Sequence, residues 1–265
     1  MGELVFLKLG GSLITDKNKP HHARRDRLQS LANELHSALR QKPDLQVLLG
    51  HGSGSFGHVS ASKYHTREGV ASPEQWQGFL EVWRDAKLLN EIVMKELAKA
   101  EVPAIAFSPV AQAITEARRV MEWNPIHIQS ALQNHLVPVI YGDVVFDKTI
   151  GGTILSTEEQ FEYLAAALKP DRILIAGLEQ GVWKDFPDRT EIFPEISSAN
   201  FHDVEQDLHQ SENPDVTGGM HSKVINMLNL VKAGHCHEVC IFSAIEPGRL
   251  LAALNGSCSG TRIHR

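Results

Sequence analysis

Three lysines, a histidine and three glycine turns carry the chemical information in this chain. Lys8 lies inside Val5-Phe6-Leu7-Lys8-Leu9, an apolar run where a cation must meet an anion or strongly destabilise the fold. Gly10-Gly11-Ser12 follows it, with Lys17 in the next loop. A second apolar run, Leu45 to Leu49, leads into His51-Gly52-Ser53-Gly54-Ser55-Phe56-Gly57-His58. Glycines there let backbone N–H groups approach a phosphate, and His58 adds an imidazole contact. Gly218-Gly219-Met220 opens a helical pattern that contains Lys223. Cations gathered around such turns suit phosphoryl transfer, which depends on positioned positive charge and an aligned nucleophile more than on covalent help from the protein.

Two familiar phosphate motifs do not fit. Gly52, Gly54 and Gly57 spell G-x-G-x-x-G, but a dinucleotide fold requires a helix to open there and an acid about 20 residues on. Val59 to Ser72 is polar and aperiodic, so no such helix is expected. His58 and Val59 stand where a P-loop needs Lys and Ser or Thr, which excludes a Walker-type site.

The elements that must position these residues alternate between strand and helix, the pattern of a parallel sheet covered on both faces. Strands are expected at Leu4–Leu9, Leu45–Leu49, Ala104–Phe107, Val137–Tyr141, Arg172–Ala176, Val239–Phe242 and Thr261–Ile263. Leu28, Leu31, Ala32, Leu35, Ala38 and Leu39 recur at helical spacing. A long helix spans Pro73 to Ala100, and shorter ones span Pro125–Gln133, Glu158–Leu168, Met220–Ala233 and Gly248–Leu254. Thr157 is read as a helix cap, and Val144 to Ile154 as a hairpin with Gly151-Gly152 in its turn. Lys184 to Pro214 is polar and reads as a surface excursion with short helices.

With 265 residues, 42% of them hydrophobic, the chain can bury a large α/β core as one domain or two joined lobes. Its net charge of −6 gives no general attraction to nucleic acid or an anionic membrane. The absence of a long apolar run and of a signal-peptide pattern at Met1 to Gly10 points to a cytoplasmic protein. Cys236, Cys240 and Cys258 are too few and odd for a disulfide framework. His235-Cys236-His237-Glu238-Val239-Cys240 reads as a strand with small buried cysteines, and no metal-ligand set is assigned.

Lys8-Leu9-Gly10-Gly11-Ser12, Thr15-Asp16-Lys17, Gly54-Ser55-Phe56-Gly57-His58, Tyr141-Gly142-Asp143-Val144-Val145, Asp215-Val216-Thr217-Gly218-Gly219-Met220 with Lys223, and Gly260-Thr261-Arg262-Ile263 together resemble the amino acid kinase superfamily. Within it they resemble the isopentenyl phosphate kinase family. The resemblance implies an open αβα sandwich with a mainly parallel sheet, a homodimer, and Mg2+- and ATP-dependent phosphorylation of isopentenyl phosphate to isopentenyl diphosphate in an alternative mevalonate route. Residues 1–170 would form the acceptor-binding lobe and 171–265 the nucleotide-binding lobe. Lys8, Gly10, Gly11, Ser12, Gly54, Gly219 and Lys223 would hold the ATP phosphates, with Gly181 and Val182 near the adenine or ribose. Lys17 would stabilise the transferring group, while Ser53, Gly57, His58, Asp143 and Thr157 would meet the acceptor. The long helix would offer Phe79 and Trp83, with Val82 and Ala86, to a short isoprene tail; ordinary core packing is the other reading of these residues.

The family usually places Gly-Asp where this chain has Thr157-Glu158; Glu158 still supplies a carboxylate that would orient the lysines. Gly177-Leu178-Glu179-Gln180-Gly181-Val182 likewise lacks the aspartates often found before the nucleotide-binding Gly-Val. A fosfomycin kinase-like or other small-molecule kinase of the superfamily is the nearest alternative, since a phosphonate would use the same histidine. A catalytically silent nucleotide-binding regulator is the alternative of another class. The basic loop from Lys17 to Arg25 reads either as solvated or as a lid over the nucleotide.

Overall fold

The structure, a computed structural model, describes residues 2–210 and 219–265. The chain enters through strand β1 (Leu4–Leu9) and a single helical turn α1 (Gly11–Ile14), then α2 (Arg25–Gln41), β2 (Gln46–His51), α3 (Gly54–Tyr64) and α4 (Pro73–Lys99). It continues through β3 (Ala104–Ala106), β4 (Ala113–Glu116), β5 (Arg119–Trp123), α5 (Ile126–Gln133), β6 (Val137–Tyr141), β7 (Asp143–Asp147), β8 (Gly151–Leu155) and α6 (Thr157–Leu168). The last part holds β9 (Arg172–Gly177), β10 (Glu195–Ile196), α7 (Phe201–Gln210), α8 (Gly219–Lys232), β11 (Glu238–Ser243), α9 (Arg249–Leu254) and β12 (Thr261–Ile263).

Eight strands form the main sheet in the order β10-β12-β11-β9-β1-β2-β6-β3, and within it only the β11–β12 pair is antiparallel. Strand alternation decides which face each side chain covers. Val5, Leu7 and Leu9 of β1 join Leu174, Ala176 and Phe242 in one core, closed by α2, α4 and α9. Phe6, Leu48, Ile173 and Ile241 turn the other way into a second core with α5, α6 and α8. Phe6 and Phe161 meet there at 5.0 Å between ring centroids, both fully buried; each such side chain contributes about 1.5–3 kcal/mol by leaving water. Lys8 has the parity of Phe6, so the pleat aims it at the helices of the second core.

A separate four-stranded sheet, β5-β4-β7-β8, includes a β4–β5 hairpin that the sequence pattern does not reveal. The β7–β8 hairpin is as expected, but glycine does not make its turn: Gly151 and Gly152 pair within β8. Asp147 organises the reversal. Its carboxylate accepts from the N–H groups of Ala117, Arg118, Thr149 and Ile150 at 2.8–3.2 Å and from Thr115 Oγ1 at 2.7 Å.

Other differences have similar local causes. Helix α3 starts inside the glycine segment and runs through residues expected to be irregular. It is held by packing on α4, where Gly78 leaves room for the ring of Tyr64. Ser156, not Thr157, caps α6, in a capping box with Glu159. Cys240 and Cys258 form a disulfide, contrary to the expectation of unbridged cysteines, because the return from α9 to β12 brings residue 258 back beside β11; Cys236 is free and buried. The polar stretch after Lys184 includes β10 and α7; its residues 211–214, like Asp215-Val216-Thr217-Gly218, lie outside the described residues.

Candidate active site

Parallel strands place their carboxyl ends at one edge of a sheet, and ligands of open α/β folds collect there. Here β1, β2 and β9 stop in register, with Leu9 paired to His51 and to Ala176. The turns beyond β1 and β2 then pack backbone to backbone. A Cβ on Gly11 would stand 2.5 Å from Gly54 N, and Gly54 itself has φ +49° with Thr15 Oγ1 where a side chain would be. Thr15 fastens the contact: its hydroxyl donates to Gly11 O at 2.7 Å and accepts from Ser55 N at 3.0 Å. Helix α3 thereby presents its N-terminal end, with Ser53 and Gly54, to the cavity at this edge, an orientation that favours anions.

That cavity brings most of the expected residues together. Lys8, Gly10, Gly11, Ser12, Lys17, Ser53, Gly54, Gly57, His58, Asp143, Thr157, Glu158 and Lys223 all line it. The lining has two sides. Helices α3 and α4 and the β7–β8 hairpin contribute His58, Ala61, Val82, Asp143 and Ile154, while β9, α8 and β11 contribute Gly177, Lys223 and Phe242. Strand β1 stands between β9 and β2, so Lys8 lies between the two sides.

Electrostatics centre on Glu158. Lys8 Nζ donates to its Oε1, and the charge of Lys223 acts on it too. Burial favours the neutral acid, but the two ammonium groups prevail and hold the carboxyl down at about 2. The carboxylate therefore stays ionised and fixes the Lys8 ammonium inside the sheet. Thr157 does not offer the open backbone of a glycine. It donates from Oγ1 to His51 O at 2.7 Å, and its methyl group occupies the space left by Gly50. His51 is structural: it is buried between Asn90, at 3.2 Å from Nε2, and the ring of Tyr141, and burial pushes its pKa down.

Asp143 presents the opposite case to Glu158. It is 1% exposed, its Oδ1 accepts from Val144 N at 2.8 Å, and its Oδ2 has no partner among the described residues. Burial pushes its pKa up to about 8 against that one N–H. A buried oxygen left unpaired costs about 1–3 kcal/mol, so its place on the cavity wall is a functional signal.

Four expected residues lie off the wall. Phe79 and Trp83 belong to the apolar cluster that backs Val82 and Ile154, and Phe79 packs on Trp76 and Phe146. Gly181 and Val182 are buried against Thr261, whose hydroxyl accepts from Val182 N at 2.8 Å. Gly177, Glu179 and Ile241 line the cavity on that side instead. Gly219 opens α8. Arg67, which the sequence reading passed over, lines the cavity and pairs with Glu159 at 3.2 Å.

The Lys17 loop folds onto α3 and α4. Asp16 N donates to His22 O at 2.9 Å, His21 N to Ser55 O at 3.3 Å, and His21 Nε2 lies 3.0 Å from Asp85 Oδ1. Asp85 also accepts from Ser60 Oγ at 2.8 Å, so α4 anchors both the loop and α3.

The glycine turns and the lysines that line the cavity fit the phosphates of a nucleoside triphosphate, because exposed backbone N–H groups, a helix N-terminus and ammonium groups all suit anions. Among the described residues no three His, Cys, Asp or Glu side chains gather as a metal cage. Mg2+ suits such a site when phosphate oxygens supply most of its ligands. Among those residues, too, no helix is long and apolar enough to cross a membrane.

Comparison with known proteins agrees with this geometry. The amino acid kinase family matches residues 3–243. An isopentenyl phosphate kinase of Methanocaldococcus jannaschii is 32% identical, covering 98% of both chains, and one of Methanothermobacter thermautotrophicus is 31% identical over the same shares. A crystal structure of an isopentenyl phosphate kinase superposes with a TM-score of 0.83 at 29% identity, covering 98% of this chain and all of that one.

Proposed function

The chain belongs to the amino acid kinase family, in its isopentenyl phosphate kinase branch, and from that premise we propose that it transfers the γ-phosphoryl group of ATP to isopentenyl phosphate, forming isopentenyl diphosphate for isoprenoid synthesis. One observation carries the reading: a single cavity joins Lys8, fixed by Glu158, and Lys223 to a histidine and an apolar wall of Ala61, Val82 and Ile154. The first set suits polyphosphate and the second suits a phosphate on a short hydrocarbon.

A phosphate monoester already carries an anionic oxygen near neutral pH, so no general base is needed. The difficulty is to bring two anions together. Lys8 and Lys223 neutralise the nucleotide phosphates, Lys17 faces the group in transfer, and His58 with Ser53 holds the acceptor phosphate. Mg2+ bound to the phosphate oxygens of ATP supplies further charge. Residues 1–170 serve chiefly the acceptor and 171–265 the nucleotide, with β1 serving both. The enzyme works in the cytoplasm as a homodimer; edge strand β3 and the α4 packed on it leave Ile105 and Leu88 exposed for such a contact.

The test is Mg2+- and ATP-dependent ADP release with isopentenyl phosphate, dimethylallyl phosphate, fosfomycin and N-acetylglutamate side by side. Strong preference for the prenyl phosphates is expected. Preference for fosfomycin or N-acetylglutamate would move the acceptor elsewhere, and ATP binding without transfer to any of them would contradict catalysis.

A further inference from the structure

The carboxyl of Asp143 is the cavity-lining group whose state the reaction chemistry above does not explain. Its Oδ2 is buried and unpartnered among the described residues, and the residue lines the cavity together with His58, Arg67 and Thr157. A base has no role there, because the acceptor oxygen has no proton to give up. A carboxylate beside two polyphosphate anions would oppose binding by like-charge repulsion. We propose that Asp143 serves as a neutral acid that donates a hydrogen bond from Oδ2–H to a non-bridging oxygen of the acceptor phosphate, thereby selecting tetrahedral oxyanions over carboxylates.

Oxygen count gives the selection its basis. A phosphate monoester presents three terminal oxygens, so one can attack while the others accept from His58 and Asp143. A carboxylate has two, and the attacking one leaves a single acceptor for two donors. The backbone fixes the orientation: Val144 N–H occupies Oδ1 at 2.8 Å and leaves Oδ2 to carry the proton. Burial already keeps that proton in place up to about pH 8, and a phosphate dianion beside it acts in the same direction. The titratable groups around Asp143 are Tyr141 on the preceding strand, Lys8 from β1, Lys17 from the loop after α1, His58 from α3, Arg67 after α3 and Glu158 from α6; Glu179 and Lys223 face the same cavity from the nucleotide side.

This inference rests on the proposed kinase reaction, so its test has one readout that needs turnover and one that does not. Steady-state constants for isopentenyl phosphate and ATP are measured across about pH 6 to 10 for the wild type, Asp143→Asn and Asp143→Ala. Asp143→Ala is expected to weaken acceptor binding roughly 10- to 100-fold, the loss of one hydrogen bond to a charged group, with the ATP constant unchanged. Asp143→Asn, which keeps a donor at that position, recovers most of that loss and abolishes the wild-type decline above about pH 8. Equal damage in both variants, or an alkaline decline that persists in Asp143→Asn, would overturn the proposal.

The second readout is the 13C carboxyl resonance of Asp143, assigned by its absence in Asp143→Asn, titrated with and without inorganic phosphate. A protonated signal at pH 7 whose titration moves upward with phosphate is expected. An ionised Asp143 at pH 7 in both conditions would overturn the inference even if the enzyme turns over isopentenyl phosphate. If no acceptor is turned over, the reaction assignment fails and the resonance alone decides the state of Asp143.

Discussion

Glu158 and Asp143 are carboxyl groups on one cavity wall, and their surroundings drive them in opposite directions. Two lysines keep Glu158 ionised, whereas Asp143 has one backbone N–H and burial to contend with. Replacing Glu158 by Gln removes the anion that fixes Lys8 between β1 and α6. A catalytic cation displaced by about an ångström costs on the order of 100-fold in rate, so kcat for Glu158→Gln is expected to fall by about that factor while the ATP constant does not rise. Glu158→Asp, with the carboxylate of the usual family residue, retains most of the rate. Unchanged kcat in Glu158→Gln would remove the carboxylate from its orienting role.

The raised pKa of Asp143 has a thermodynamic consequence. Between its ordinary value of 3.8 and about 8, the unfolded chain releases this proton and the folded chain keeps it. Stability contributed at this residue therefore falls as pH rises through that window, by up to about 1.4 kcal/mol per unit. Denaturant unfolding of Asp143→Asn at pH 7 is expected to show a gain in stability over the wild type that shrinks towards pH 4. No pH-dependent difference between the two proteins would mean that Asp143 is ionised in the folded state.

Among the elements, the β7–β8 hairpin shows how a polar side chain can do what sequence pattern assigns to glycine. Asp147 satisfies four backbone N–H groups from two turns and ties β4 to β7 through Thr115. Burial opposes its charge, but these donors hold its pKa down at about 2. The stability that Asp147 provides is present above about pH 4 and is lost as pH falls towards 2, amounting to about 2 kcal/mol at neutral pH. Asp147→Ala should lose at least that much in denaturant unfolding at pH 7, and its deficit should narrow in acid. A variant as stable as the wild type would show that the turn does not depend on the carboxylate.

Legibility from sequence follows the same division between local and distant causes. The buried strands and the amphipathic α2 and α4 could be read because apolar spacing determines them. Lys8, Lys17, His58 and Lys223 could be read because polar groups next to buried runs or glycine turns are conspicuous, whereas Asp143 is legible only through the family resemblance of Tyr141-Gly142-Asp143-Val144-Val145. Helix α3 could not, since its apolar residues form no stripe and its packing depends on Gly78 in a different helix. Phe79 sits one layer behind the cavity, while Val82, three residues on, reaches it. Periodicity identifies the buried side of a helix but not which of its side chains face a ligand. The Asp85 anchor of the Lys17 loop is a meeting of segments about 60 residues apart in sequence, with no local signature.

At the scale of the whole molecule, the sheet order sets one strand between the two sides of the cavity. β1 lies between β9 and β2, so the turn after it has β9 on one flank and β2 on the other, the sides proposed for nucleotide and acceptor. Under the proposed function, phosphates from both substrates would meet over Lys8, which lines the cavity between its two sides. The apolar residues Val82 of α4 and Ile154 of β8 line the cavity, and under the proposed function they would limit how much hydrocarbon can follow the acceptor phosphate. The most direct test of the account is 31P NMR of the product formed from isopentenyl phosphate and Mg2+-ATP by the wild type and by His58→Ala, at varied concentrations of each substrate. The account predicts isopentenyl diphosphate from the wild type, and in His58→Ala an acceptor KM raised roughly 10- to 100-fold with the ATP constant unchanged. ADP without a diphosphate product, or equal losses towards both substrates, would contradict it.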